Sequence, residues 1–144
     1  MIWFRNYTVD ALNSRPNNHL GALLGIEFTL IGDDFLEARM PVNDKTRQPY
    51  GILHGGASVV LAESLGSMAS NMCIDDQIFM GVGLEVNANH FRPVASGFVT
   101  GVCKPLHIGA KTHVWEIRMK NDQGKMNCIS RLTVAIVAHR TEIS

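Results

Sequence analysis

The sequence predicts an α+β fold in which an antiparallel sheet wraps around one long central helix. Residues 57–73 have helical character and are apolar on nearly every side, which is typical of a helix buried all round. The segments on either side of them alternate apolar and polar residues with a period of two, which indicates strands. Because one helix and several consecutive strands must share a core, we expect the sheet to curl around the helix.

The predicted elements follow one another as a short helix, two strands, the long helix and four strands. Residues 8–15 ("TVDALNSR") indicate a short helix that Thr8 can cap. Two strands flank the turn "GDD" within residues 24–42. After the long helix, four further strands are predicted at residues 83–91, 97–106, 112–120 and 126–138, with turn-rich segments between them. We therefore expect a single domain over residues 1–138 and a polar C-terminal tail over residues 139–144.

Composition excludes several classes of protein. The 144 residues include 13 basic and 13 acidic side chains, so there is no net charge to attract nucleic acid. The 3 cysteines show no metal-ligand spacing, and we expect buried free thiols, no metal site and no cofactor. The amino terminus lacks the apolar run of a signal peptide, and no segment is apolar for long enough to cross a membrane. A cytoplasmic protein without membrane insertion is expected.

Glu63 is the single carboxylate in the apolar helix, and Ser67 follows it one turn later on the same stripe. Burying an unpaired carboxylate costs several kcal/mol or raises its pKa. A polar cavity or partner at this position would explain why the sequence keeps it. One interpretation is a catalytic base or nucleophile. The alternative is a structural glutamate that is hydrogen-bonded in the core or bridges a subunit interface.

The start of the same helix offers a second chemical feature. The first turn of a helix has free backbone N–H groups and the positive end of the dipole, and Gly55 and Gly56 leave it unshielded. An oxygen that gains negative charge would be stabilised there, although two glycines also allow a sharp turn. His54 either orients this loop or donates to a carbonyl, unless it is merely structural. Gln48 supplies a second polar contact or is simply solvated.

The spacing of these features constrains how they can act together. Gly55 and Glu63 are eight residues apart, which is about 12 Å along a helix at 1.5 Å per residue. One reacting carbon cannot contact both, because each contact must be about 3 Å. If both act, they come from different chains, so the spacing predicts a homodimer with two composite sites related by a two-fold axis.

Three segments resemble a known family: "MPVNDKTRQPYGILHGGASVVLAESLGS", "VGLEVNANHFRP" and "PLHIGAKTHVWEI". They are similar to hotdog-fold acyl-CoA thioesterases of the PaaI-like group. Within it they are most similar to the thioesterases that act on 1,4-dihydroxy-2-naphthoyl-CoA in menaquinone synthesis and to the proofreading thioesterases of enterobactin synthesis. The resemblance spans residues 1–137. It implies a hotdog fold, assembly as a tetramer made of two dimers, and hydrolysis of an aromatic acyl-CoA, with 1,4-dihydroxy-2-naphthoyl-CoA as the expected substrate.

The resemblance also implies roles for individual residues. Glu63 would be the nucleophile or general base, and the Gly55 amide would polarise the thioester carbonyl. Gln48 and His54 would orient the thioester or its departing thiolate, and Ser67 would position the water or the acyl group. The remaining substrate contacts implied by the resemblance are Gly83, His90, Phe91, Arg92, Pro93, His107, Ile108, Gly109, Ala110, Lys111 and Thr112.

Other interpretations remain open from the sequence. Charge alone favours a solvated rim for the basic residues Arg92, Lys104 and Lys111 over contacts with the phosphates of coenzyme A. A proofreading thioesterase would act on an aryl acyl-carrier protein instead of an acyl-CoA. A hotdog dehydratase would also pair a loop histidine with a helix carboxylate, and a regulatory acyl-CoA-binding module would need no catalytic glutamate. No G-x-S-x-G motif is present to support a serine hydrolase.

Overall fold

The computed structural model describes residues 1–140 of the chain. The elements run in the order α1 (Val9–Asn13), α2 (Leu20–Leu23), β1 (Glu27–Ile31), β2 (Leu36–Pro41), α3 (Gly55–Met72), β3 (Phe79–His90), β4 (Phe98–Ile108), β5 (Thr112–Asn121) and β6 (Met126–Ala138). The predicted order is confirmed, apart from the four-residue helix α2, which the sequence analysis missed. Strand β3 also begins four residues earlier than predicted. Residues 141–144 of the predicted tail lie outside the described residues.

All six strands form one sheet in the order β1-β2-β4-β5-β6-β3, and every neighbouring pair is antiparallel. The 18-residue helix α3 contacts β2, β3, β4, β5 and β6. A straight helix can contact five strands of one sheet only if the sheet curves around it. The predicted α+β fold, a sheet wrapped around one central helix, is therefore confirmed.

The core lies between α3 and the concave face of the sheet. Leu61 and Leu65 of α3 and Trp115, Ile117 and Leu132 of the sheet are fully buried there. Helix and sheet approach closely at Gly66, where an added Cβ would lie 2.4 Å from a methyl group of Leu132. Burial of this apolar area supplies most of the stabilisation of the fold. No helix within residues 1–140 combines the length and hydropathy needed to cross a bilayer.

One buried hydrogen bond joins α3 to the sheet across this core. The indole Nε1–H of Trp115 donates to the Ser70 hydroxyl at 2.7 Å, and both side chains are fully buried. Ser70 lies two turns after Glu63, on the side of α3 that faces β3, since an added Cβ at Gly81 would lie 3.3 Å from the Ser70 Cβ. Glu63, Ser67 and Ser70 form a polar stripe on α3. The residue at the C-terminal end of this stripe, Ser70, has a hydroxyl group that is hydrogen-bonded within the fold.

Strand β3 occupies one edge of the sheet, and within residues 1–140 only β6 pairs with it. Large apolar side chains are exposed along it and on the adjacent end of β6: Phe79, Met80, Val82, Leu84 and Val137. An exposed apolar edge of this length is a template for pairing with another strand. Leu84 is the extra residue of a β-bulge, because Gly83 pairs with Val134 and Glu85 with Thr133.

We predict that Ser70→Ala lowers the free energy of unfolding by about 1–3 kcal/mol, because it leaves the buried indole N–H of Trp115 without a partner. Urea denaturation followed by circular dichroism measures the change. Ser96→Ala, at an exposed position in the loop before β4, is the matched control and should stay within about 0.5 kcal/mol of the wild type. Equal unfolding free energies for the two variants would show that this hydrogen bond does not stabilise the fold.

Candidate active site

Within residues 1–140, the start of α3 presents one free backbone donor. His54 is the N-cap, and its Nδ1 accepts the Gly56 N–H at 2.8 Å, while the N–H groups of Ala57 and Ser58 donate to the His54 carbonyl. The Gly55 N–H has no hydrogen-bond partner within residues 1–140. The sequence predicted an unshielded helix start at Gly55 and Gly56. Of these two amides, only that of Gly55 is free within residues 1–140, and it lies at the positive end of the helix dipole.

The capping bond also determines which nitrogen of His54 carries a proton. Since Nδ1 accepts the Gly56 N–H, the neutral ring holds its hydrogen on Nε2. That Nε2–H makes no hydrogen bond within the described part of the chain. His54 is thus a structural cap and, through its other nitrogen, a donor beside Gly55.

A cavity of about 500 Å³ lies in front of Gly55. Its lining includes Gln48, whose side-chain oxygen accepts the Tyr50 N–H, so its amide NH₂ can donate to a ligand. The His90 ring lies over the helix start, with Nε2 3.0 Å from the position of a Cβ added at Gly55. The structure therefore brings together the predicted site residues Gln48, Gly55, His90, Phe91, Arg92 and Pro93.

Asn127 lines the same cavity and was missed by the sequence analysis. It has no partner in β5, because Met126 pairs with Lys120 and Cys128 with Met119, so it is a bulge residue. Its side chain is 3% exposed, and its Oδ1 has no hydrogen-bond partner within residues 1–140. An asparagine just after the turn "NDQGK" is expected from turn chemistry alone, so the sequence carried no signal for this role.

Glu63 lies in the middle of α3, over Gly83 of β3. A Cβ added at Gly83 would be 2.2 Å from Oε1 of Glu63, so the carboxylate occupies the space that the glycine leaves free. Within residues 1–140 the carboxylate makes no hydrogen bond and no ion pair, and burial raises its pKa. One structural alternative was a glutamate that is hydrogen-bonded in the core of its own chain. The lack of any such hydrogen bond within residues 1–140 does not fit that alternative.

Ser67 lies one turn after Glu63, on the wall of a second cavity of about 340 Å³. Ser64, Met68 and Asn71 of α3 line the same cavity, and residues of α1, α2 and β1 form the opposite wall. Ser67 therefore lies both on the stripe of α3 that carries Glu63 and on the wall of this cavity.

The predicted substrate contacts His107 to Thr112 lie elsewhere. They form the β4–β5 hairpin, in which the Gly109 N–H donates to the Thr112 carbonyl, and the Lys111 carbonyl accepts the Ile136 N–H of β6. Thr112 pairs with Ala135, which pairs with Val82 of β3. The hairpin therefore lies at the same end of the sheet as Gly83 of β3, and it does not line the cavity that contains His90.

One chain holds the candidate residues in two separate groups. Gly55 and Glu63 are about 12 Å apart along the helix at 1.5 Å per residue. Gly83 and His90, which mark the two groups on β3, are about 23 Å apart along the strand at 3.3 Å per residue. A single carbonyl carbon therefore cannot contact both the free amide and the free carboxylate of one chain.

The three cysteines do not offer an alternative nucleophile. Cys103 and Cys128 are buried and Cys73 is half-buried, and all three are free thiols. Burial raises the pKa of Cys73 and Cys128 to about 11 and the pKa of Cys103 well above its ordinary value. Because the thiolate is the reactive form, thiols that stay protonated at neutral pH are inert. Glu63 is left as the candidate nucleophile or base.

Comparisons with known proteins find similar sequences along most of the chain. The family profile described as "Thioesterase superfamily" matches residues 50–128. The chain is 52% identical to a 1,4-dihydroxy-2-naphthoyl-CoA hydrolase of Escherichia coli, over 95% of this chain and 100% of that protein. It is 50% identical to the proofreading thioesterase EntH of Cronobacter turicensis, over 95% of this chain and 99% of that protein.

Solved structures match over the same length. A mutant of thioesterase PA1618 from Pseudomonas aeruginosa superimposes with a TM-score of 0.94 at 52% identity, covering 96% of this chain and 99% of that one. Thioesterase HI1161 from Haemophilus influenzae gives a TM-score of 0.94 at 41% identity, covering 100% of both chains.

We predict that Gly83→Ala lowers kcat by about 10²-fold, because the added methyl displaces the Glu63 carboxylate by an ångström or more. The displaced atom is the end of a flexible side chain, so we expect the urea midpoint to stay unchanged. Gly81→Ala is the matched control, since its Cβ meets Val134, Asn71 and Ser70 instead of Glu63. Equal kcat for the two variants would show that the space above Gly83 does not position the carboxylate.

Proposed function

The chain belongs to the thioesterase superfamily and is a thioester hydrolase, and we propose that its substrate is an aromatic acyl-CoA, with 1,4-dihydroxy-2-naphthoyl-CoA as the expected natural substrate. The observation that carries the proposed mechanism is made within residues 1–140: the Glu63 carboxylate over Gly83 is unpaired, and the Gly55 N–H at the start of the same helix is free. The 52% identity to a hydrolase of that acyl-CoA supports the choice of acyl group.

In the proposed reaction the thioester carbonyl oxygen accepts the Gly55 N–H at the positive end of α3. The Glu63 carboxylate then either attacks the carbonyl carbon, forming a mixed anhydride that a water molecule hydrolyses after the thiolate has left, or takes a proton from a water molecule that attacks the carbon directly. The carbon–sulfur bond breaks, and the thiolate leaves beside the Nε2–H of His54 and the amide of Gln48. The products are the free acid and coenzyme A, so one water is consumed in each turnover.

Partial burial prepares Glu63 for this role. Removal of water from the carboxylate raises its pKa and makes it a stronger base or nucleophile than a solvated glutamate. The carboxylate must be ionised to act, so this gain in reactivity lasts only while the pKa stays below the working pH. Within residues 1–140 the carboxylate has no counter-ion and is only partly buried, so partial loss of water is the cause of the raised pKa.

The proposed mechanism requires two chains. If the free edge of β3 pairs antiparallel with β3 of a second copy, the Gly83 end of each strand lies near the His90 end of the other. Glu63 of one chain then faces Gly55 of its partner, and the exposed apolar side chains of β3 are covered. We infer a cytoplasmic homodimer with two composite sites, and two such dimers would form the expected tetramer.

A second candidate substrate is an aryl group carried by a carrier protein. The 50% identity to the proofreading thioesterase EntH favours it, and the same Glu63 and Gly55 chemistry would cleave either thioester. The two candidates differ only in the carrier, so a comparison of kcat/KM for one aryl group on coenzyme A and on an acyl-carrier protein separates them.

We predict that Glu63→Gln lowers kcat for release of coenzyme A from benzoyl-CoA by about 10²–10⁴-fold, because a base or nucleophile is lost while the shape is kept. KM should change little. In the wild type, kcat/KM should fall as the pH drops through the raised pKa of Glu63, above the usual glutamate range, because the protonated carboxyl is inactive.

The urea midpoint of Glu63→Gln provides the control. Burial penalises the ionised carboxylate, so its replacement by a neutral amide should not lower the midpoint. A kcat within about threefold of the wild type would refute the role of Glu63. Reversible hydration of an enoyl-CoA without release of free thiol would refute thioester hydrolysis.

Mixed dimers test the shared site. Gly55→Pro removes the free N–H and displaces the His90 ring, since an added Cβ lies 3.0 Å from its Nε2, so both effects fall on the Gly55 half of the site. The φ of proline suits the first helical position after an extended residue such as His54. We predict that Gly55→Pro and Glu63→Gln chains are each inactive. Co-refolded in equal amounts, they should recover roughly a quarter of wild-type activity, since half the dimers are mixed and each holds one intact site.

The mixed dimers are isolated with two affinity tags. Purified mixed dimers that stay as inactive as the parents would show that each site lies within one chain. Gly56→Ala chains cannot replace the Gly55→Pro chains in this mixture. A Cβ added at Gly56 would lie 2.9 Å from Nδ1 of His54 and would disturb the cap of the helix.

A further inference from the structure

The cavity in front of Gly55 contains two buried polar side chains to which the proposed reaction gives no task. Asn127 and Ser58 line this cavity, and they are 3% and 1% exposed. Neither the Asn127 amide nor the Ser58 hydroxyl makes a hydrogen bond within residues 1–140. Buried polar groups in folded proteins normally have partners, so these two indicate that a ligand binds beside them.

The Asn127 amide is not explained by the stability of the fold. Its Oδ1 is buried without a donor within residues 1–140, and an unpartnered buried acceptor destabilises a protein. The backbone of Asn127 already holds the segment after β3, since its carbonyl accepts the Phe91 N–H at 2.8 Å. That bond does not need an amide side chain, so the reason for an asparagine at this position lies in the cavity.

The cavity mainly offers hydrogen-bond donors. Because Oδ1 is the buried atom, the NH₂ is the part of the Asn127 amide that faces the cavity. The Gly55 N–H and the Gln48 NH₂ are donors on the same wall, and the Ser58 hydroxyl can also donate. No acidic side chain within residues 1–140 lines the cavity. The ligand should therefore present an oxygen that accepts hydrogen bonds.

The proposed reaction brings such an oxygen into the cavity. The thiolate leaves beside Gln48, so the chain that carries the sulfur continues along the same cavity. In coenzyme A and in acyl-carrier proteins this chain is a phosphopantetheine arm, whose first amide is separated from the sulfur by two methylene groups. A cavity of about 500 Å³ is about 10 Å across, which is enough for this amide but not for the whole arm.

We propose that Asn127 and Ser58 donate hydrogen bonds to the carbonyl oxygen of the arm amide nearest the sulfur. Substrates carried by coenzyme A and by a carrier protein present the same amide, so both would be held in this way. The inference rests on the proposed function and specifies how the thiol half of its substrate is recognised.

The test uses three benzoyl thioesters that differ only in the thiol. N-acetylcysteamine carries the arm amide, 5-mercaptopentan-2-one keeps its carbonyl but has CH₂ in place of the N–H, and pentanethiol has neither group. The value measured is kcat/KM for thiol release. Each variant is compared with the wild type on the same thioester, so the different intrinsic reactivities of the thioesters cancel.

Asn127→Leu removes the NH₂ donor and keeps a side chain of similar shape. We expect it to lower kcat/KM about fivefold for the amide and ketone thioesters, the effect of one neutral hydrogen bond, and to leave the pentanethiol ester within about twofold. The urea midpoint should not fall, because an unpartnered acceptor is removed as well. Ser58→Ala should give the same kinetic pattern. Asn18→Leu, the same substitution at an exposed loop position, is the control and should keep all wild-type values.

Each other outcome has a separate meaning. Equal losses for all three thioesters in Asn127→Leu and Ser58→Ala would overturn the inference, because a purely structural role affects every substrate alike. A loss for the amide thioester alone would also overturn it, since the N–H of the arm would then be recognised instead of the carbonyl. Unchanged values for all three would overturn it as well. Failure of the wild type to release thiol from any aromatic acyl-CoA would instead overturn the proposed substrate class on which the inference rests.

Discussion

Helix α3 is apolar on nearly every side, and the rest of the structure depends on how a single sheet buries it. Five strands contact the helix, so the sheet must curve, and Gly66 allows the helix to sit close to Leu132. A helix held this tightly cannot rotate or slide without creating voids or clashes in the core. The polar groups at its start and middle therefore keep defined positions, as a catalytic site requires.

The polar stripe of α3 combines a structural group with a reactive one. Ser70 accepts a buried hydrogen bond from Trp115, whereas Glu63 has no partner within residues 1–140 and its pKa is raised by burial. The desolvated carboxylate destabilises the fold slightly but gains basicity. A counter-ion at this position would stabilise the protein and weaken the base, so the missing partner is consistent with catalysis.

The same helix explains why one chain is insufficient. Its first turn holds the free Gly55 amide and its middle holds Glu63, and the rigidity that fixes each group also fixes their separation. In the proposed dimer, β3 of a second copy covers the exposed apolar edge and supplies the missing half of each site. Folding, assembly and catalysis would then depend on a single edge strand and the helix beneath it.

The sequence by itself predicted the fold class, which the structure confirms, and indicated Gly55 and Glu63 as candidate catalytic residues. The apolar helix, the period-two segments and the 12 Å spacing depend only on local geometry, which sequence periodicity records. The position of Asn127 in the active-site cavity and the cavity beside α1 and α2 depend on contacts between distant segments, which periodicity does not record. The hydrogen bond from the Gly56 N–H to His54 is local, but it depends on a side-chain orientation that periodicity does not record either.

The β-bulge at Leu84 illustrates this limit most clearly. Simple alternation along β3 would place Gly83 and His90 on opposite faces of the sheet. The extra residue shifts the alternation, so that Gly83 lies beneath Glu63 and His90 lies over Gly55, both on the side of α3. Pairing with β6 across the sheet creates the bulge, so only the tertiary structure decided that these two residues belong to the same surface.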